Sequence, residues 1–131
     1  MSLVVDASVV VAVLIDDGED GYWAAEALLT DDLAAPEFML IETTNVLRRF
    51  VANGLIPDSL ANSAQRDLFR LDVQLYPFSP LADRVWSLRS NLTSYDAVYV
   101  ALAESLDAPL ATLDRRLATQ TANCEFLLPD T

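Results

Sequence analysis

The sequence predicts an α/β domain, a central parallel β-sheet flanked by helices, and three observations lead there. Short apolar runs of strand length alternate with longer segments of helical composition along the whole chain. The segments between successive strands are long enough for the helical crossovers that parallel pairing requires. At 131 residues the chain suits one compact core, since a domain of this size buries roughly two-thirds of its unfolded surface. No polar or repetitive stretch marks a linker, so one domain over residues 1–131 is expected.

Taken in order, Leu3 to Asp6 reads as a short strand, and "SVVVAVLI" after it as a helix with Ser8 placed to cap its start. After the turn "DDGEDG", the segment "YWAAEALLTDD" has helical composition and "LAAP" reads as a second strand ending at Pro36. "PEFMLIETTNVLRRFVAN" begins with Pro at a helix N-terminus and ends before Gly54, the residue preferred for a left-handed cap. "PDSLANSAQRDLFRL" is another Pro-initiated helix, "VQLYPF" a strand, and "SPLADRVWSLRS" a helix with Leu81, Val85 and Leu88 at helical spacing. Thr93 opens "TSYDAVYVALAESL", with Val98, Leu102 and Leu106 recurring every four residues. "APLATLD" is then a strand, "RRLAT" a short helix and "CEFLLP" a last strand.

Composition excludes several function classes. The chain has no histidine, which removes an imidazole acid/base pair, a Ser-His-Asp triad and any His-containing zinc site. Its only glycines are Gly18, Gly21 and Gly54, too few for a phosphate-binding P-loop or a dinucleotide fingerprint. Val9 to Ile15, the longest apolar run near the start, falls far short of the ~20 residues that span a bilayer. The N-terminus carries no Lys or Arg and has Asp6 inside its apolar segment, unlike a signal peptide, so a cytoplasmic protein is expected. Cys124 is the single cysteine, and its apolar neighbours in "CEFLL" suggest a structural side chain.

Net charge is −12 with a pI near 4.1, which argues against binding nucleic acid by overall attraction and favours cationic partners or bound cations. All eight basic residues are arginine. Binding of a phosphate-bearing substrate would therefore depend on local arginines, and Arg115 and Arg116 are the first candidates.

Four acids stand in apolar or element-end settings: Asp6 in "VVDAS", Glu42 in "FMLIETTNV", Asp96 in "TSYDAVYVAL" and Asp114 in "LATLDRRL". Asp6 and Asp114 would end strands at their carboxyl edge, where open parallel sheets place their sites. Asp96 and Glu42, in early turns of their helices, can point to the same edge. Four ionised carboxylates cannot crowd together without compensation, and hard divalent cations bound through oxygen would neutralise them.

Each acid also has an ordinary structural explanation. Asp96 follows Thr93 at capping-box spacing, Glu42 has Arg48 and Arg49 within reach on its helix, and Asp114 can cap the "RRLAT" helix. Asp6 fits such an account least, because Ser8 is the better cap and no basic residue lies near it in sequence.

Over nearly its whole length the chain resembles PIN-domain ribonucleases, especially the VapC toxins of toxin–antitoxin pairs. The resemblance rests on a hydrophobic strand ending in Asp6 with Ser8 two residues on, on Glu42 followed by Asn45 and "VL", and on "TSYDAVYVALAE" with "LATLDRRLA". It implies a single PIN-like domain and an Mg²⁺- or Mn²⁺-dependent endoribonuclease. Asp6, Glu42, Asp96 and Asp114 match the family's four acidic metal-site positions, and Ser8, Asn45 and Thr112 match polar positions bordering them. It also implies an RNA substrate and a cognate VapB-like antitoxin whose C-terminal segment covers the groove; with the charge, it favours a cationic antitoxin and a homodimer.

Two other readings compete. An α/β phosphatase would place an Asp after the first strand, but its D-x-D pattern fails at Ser8. A non-catalytic acidic module binding a basic peptide accounts for the charge but not for the four matched acids.

Overall fold

The computed structural model describes residues 1–29 and 32–130. Five parallel strands form one sheet in the order β3-β2-β1-β4-β5. They are β1 (Ser2–Val5), β2 (Asp32–Pro36), β3 (Val73–Tyr76), β4 (Leu110–Ala111) and β5 (Phe126–Leu127). β1 is central, with Val4 aligned to Ala34 on one side and to Leu110 on the other. Its Leu3, Val4 and Val5 are all buried, as an apolar run in the middle of a two-sided parallel sheet must be.

The chain moves from β1 outward to β3, then returns past β1 to β4 and β5. The direction therefore reverses between β1 and β4, and the crevice at their carboxyl ends is where such sheets hold ligands. Helix α1 (Ala7–Ile15) packs against α2 (Glu19–Leu28), α3 (Phe38–Ala52) and α4 (Asp58–Leu68). Helix α5 (Ala82–Ser87) packs on α6 (Ser94–Leu106), which lies against β1, β2 and β4; α7 (Arg115–Gln120) joins the last two strands. The α/β architecture matches the sequence expectation, and no helix among the described residues is long and apolar enough to cross a membrane.

Several boundaries differ from those expected. Helix α2 starts at Glu19, inside the expected turn. Gly21 makes this possible: a Cβ there would sit 1.8 Å from the Asp16 carbonyl oxygen, so only glycine allows α1 and α2 to meet so closely. Of the expected "TDD" tail, Thr30 and Asp31 lie outside the described residues and Asp32 opens β2. "SPLADRVWSLRS" begins as a 3-10 turn, Ser79–Leu81, and is α-helical only over α5, while the last two strands shrink to two residues each. Gly54 takes φ +73°, the left-handed cap expected after α3.

Candidate active site

Asp6 follows β1 directly and is the N-cap of α1; the expectation that Ser8 caps this helix is corrected. An extended Asp6 (φ −94°, ψ 173°) lets its Oδ1 accept the Val9 amide at 3.2 Å, the usual geometry of an Asp cap. The Ser8 hydroxyl instead donates to Asp6 Oδ1 at 2.5 Å and accepts the Leu113 amide at 3.0 Å. Asp6 Oδ2 accepts from Thr112 Oγ1 at 2.5 Å, and Thr112 Oγ1 accepts the Asp114 amide at 3.0 Å. Two hydroxyls thus tie the β1–α1 junction to the β4–α7 loop. Asp6 is 7% exposed and Thr112 is fully buried. Burial pushes the Asp6 carboxyl above its ordinary range, against the lowering effect of the Ser8, Thr112 and amide hydrogen bonds.

Glu42 stands in the second turn of α3 and accepts a 2.6 Å hydrogen bond from the buried Tyr99 hydroxyl. It makes no ion pair with Arg48, whose Nε donates to Asn45 Oδ1 at 2.9 Å; Arg49 acts on it only as a nearby positive charge. Burial raises the Glu42 carboxyl and repulsion from Asp6 and Asp96 adds to it, while Tyr99 and Arg49 oppose the shift. Burial first, then Glu42, holds the Tyr99 phenol far above its usual range, so it remains a donor.

Asp96 lies in the first turn of α6, whose N-cap Thr93 accepts the Asp96 amide at 3.2 Å. Thr93 thus supplies its half of the capping box read from the spacing, while the Asp96 carboxylate lines the site. Burial and then the Asp114 charge raise its pKa; Arg116 and Thr93 lower it. Asp114 sits three residues beyond β4 rather than at the strand end, because it caps α7: Oδ1 accepts the Arg116 and Leu117 amides at 3.0 and 3.2 Å.

All four acids line one pocket of about 330 Å³, together with Ser8 and Tyr99 and with Val11, Val46 and Phe50 as an apolar wall. Asn45 is exposed and does not reach this pocket. Arg116 is exposed, its guanidinium 3.9 Å from Asp114 Oδ2 at the rim. Arg115 is turned away and donates to the Pro129 carbonyl. Sequence reasoning missed Tyr99, whose signal was a phenol one helical turn after Asp96 in an otherwise apolar run. Cys124 is half-buried with its thiol pushed up to about 11 by burial, in keeping with a structural side chain.

The donor set consists of carboxylate oxygens, the ligands of hard cations. Among the described residues no three acids are grouped tightly enough to chelate one ion unaided. The raised carboxyls, each repelled or desolvated, are the groups a cation would relieve.

The model of the PIN domain matches residues 3–122. Ribonuclease VapC1 of Mycobacterium tuberculosis is 42% identical over 128 residues, covering 95% of this chain and 96% of that protein. Ribonuclease VapC9 of the same organism is 37% identical over 123 residues, covering 93% and 94%. Among solved structures, VapBC2 from Rickettsia felis, bound to a promoter DNA fragment, aligns with a TM-score of 0.73 at 14% identity over 99% of this chain and 100% of that one. VapC20 of M. tuberculosis, described as a sarcin-ricin loop cleaving toxin, aligns at 0.70 with 15% identity over 89% and 93%. At those identities the two structures speak for the fold alone.

Proposed function

The chain belongs to the PIN-domain family, and on that premise we propose that it is a metal-dependent endoribonuclease, the toxin of a VapBC-type toxin–antitoxin pair. The observation that carries the reading is convergence. Asp6, Glu42, Asp96 and Asp114, from four different elements, line one pocket at the point where the strand order reverses. The ribonuclease names of relatives at 37–42% identity support it.

In this reading the four carboxylates hold Mg²⁺ or Mn²⁺, which when bound polarises a phosphodiester and lowers the pKa of a water. The chain's own part is to keep the acids in place. Ser8, Thr112 and the Val9 amide hold Asp6, the α7 amides hold Asp114, and Thr93 anchors the turn that carries Asp96. Arg116, exposed at the rim, is placed to meet an RNA phosphate; Arg115, engaged with Pro129, is less available. A net charge of −12 favours an antitoxin whose covering segment is basic. A homodimer is part of the proposal, and sedimentation as a monomer would remove it.

The test is cleavage of a structured RNA pool by the purified protein in Mg²⁺ or Mn²⁺, with and without EDTA, alongside Asp96→Asn. Metal-dependent cuts leaving 5′-phosphates and lost in the variant are expected. A folded, metal-loaded protein that cuts nothing would turn the reading toward the acidic binding module.

A further inference from the structure

Tyr99 is 2% exposed in the middle of α6, between the buried Val98 and Val100. A phenol in such a place costs desolvation that a phenylalanine of the same shape would not, unless its oxygen is bonded. The oxygen is bonded: its hydroxyl donates to Glu42 Oε1, 57 residues away in sequence, at 2.6 Å. The Ala7 amide at the start of α1 acts on the same oxygen, and Ala7 lines the pocket beside Tyr99. Ala7 follows Asp6, and Tyr99 follows Asp96 by one helical turn. The ring meets Phe38, in the first turn of the helix that carries Glu42, edge-on at 6.4 Å. One phenol therefore touches or shares the elements that carry three of the four pocket acids.

Glu42 is held by fewer groups than Asp6 or Asp114. Asp6 has two hydroxyls and an amide on its carboxylate, and Asp114 has two amides. Among the described residues, the Tyr99 hydroxyl is the one group that hydrogen-bonds the Glu42 carboxylate, while the charges of Asp6 and Asp96 repel it.

We propose that Tyr99 is a positioning residue of the carboxylate pocket, its hydroxyl holding Glu42 in the orientation that receives a divalent cation. The inference rests on the reading of the four acids as a cation site. It is tested with Mn²⁺ titrations followed by electron paramagnetic resonance on the full chain, comparing wild type, Tyr99→Phe, Glu42→Gln and the double variant. Tyr99→Phe removes a single oxygen, and a melting curve checks that the fold is kept. Mn²⁺ binding is expected to weaken about 10- to 100-fold in Tyr99→Phe, the usual loss for an outer partner of a ligand. In the Glu42→Gln background, loss of the hydroxyl is expected to change nothing further, because it acts through Glu42. Wild-type affinity in Tyr99→Phe would overturn the inference, and so would an equal loss in both backgrounds, which would assign the effect to helix packing. Absence of Mn²⁺ binding by the wild type would sink the metal reading itself, and it is visible without any variant.

Discussion

The two ends of the sheet differ in a way that volume alone would misread. At the amino ends of the strands, Ser2, Asp32 and Gln74 line a cavity of about 640 Å³ with Leu28, Leu71 and Arg70. At the carboxyl ends the pocket is about half that size, near 330 Å³, yet it gathers Asp6, Glu42, Asp96 and Asp114. The charged groups of the larger hollow, Asp32, Arg70 and Asp72, are all exposed, and Arg70 pairs with Asp67 at 3.3 Å, with side chains 75% and 54% exposed. Such a pair contributes little. In the smaller pocket a carboxylate is 7% exposed and held by two hydroxyls.

Chain direction explains the difference. Where parallel strands end, helices begin, and their unpaired amides and positive dipole ends favour negative charge. Asp6 and Asp114 are N-caps, and Asp96 lies in a first helical turn. At the other end α2 and α4 finish at Leu28 and Leu68, presenting carbonyls that offer an acid no hold, and the two acids there, Asp32 and Asp72, stay exposed.

The contrast is broken most directly by Asp6→Asn. RNA hydrolysis is expected to fall by more than about 100-fold, beyond the usual range for an outer partner of a metal ligand. The melting temperature should hold, since Asn still caps α1 and a desolvated charge is removed. Unchanged cleavage rates would take Asp6 out of the chemistry.

Thr112→Val should sharpen the contrast through stability. It leaves Asp6 Oδ2 and the Asp114 amide without their buried partner, and urea unfolding is expected to register a loss of about 1–3 kcal/mol.

A smaller effect is expected from pH. The Asp6, Glu42 and Asp96 carboxyls are raised in the fold from starting values of 3.8, 4.5 and 3.8. The folded state therefore keeps protons that the unfolded chain has released. The stability these groups add is full below those starting values and is lost as pH rises through the folded pKa values. Cation binding competes with the same protons, so Mn²⁺ should raise the melting temperature more at pH 7.5 than at pH 5. An equal gain at both pH values would argue that the ion binds elsewhere.

The smallest effect is assigned to the opposite end. Arg70→Ala should change stability by no more than about 0.5 kcal/mol and leave RNA cleavage as in the wild type. A large loss of cleavage would mean that the larger cavity takes part after all.

Much of this is legible in the sequence alone. The βα rhythm, the apolar β1, the Pro-started α3 closed by Gly54 and the four acids were all visible as local pattern. The errors were also local. Ser8 looked the better cap for α1, but its hydroxyl is taken by the Leu113 amide, 105 residues away. "APLATLD" looked like a strand through Asp114, but after Ala111 the side chains of Thr112 and Asp114 capture the next amides and turn the chain into α7. Asn45 matched a site position by motif, yet its place on α3 carries it out to Arg48.

By itself, then, the sequence determined the order and type of the elements and which carboxylates sat in apolar settings, because periodicity and capping chemistry act over a few residues. Only the tertiary structure decided which groups hold those carboxylates. The partners of Asp6 and Glu42 come from Thr112 and Tyr99, 106 and 57 residues distant. Contacts at that range arise from the reversal of strand order beside β1, which no local pattern encodes.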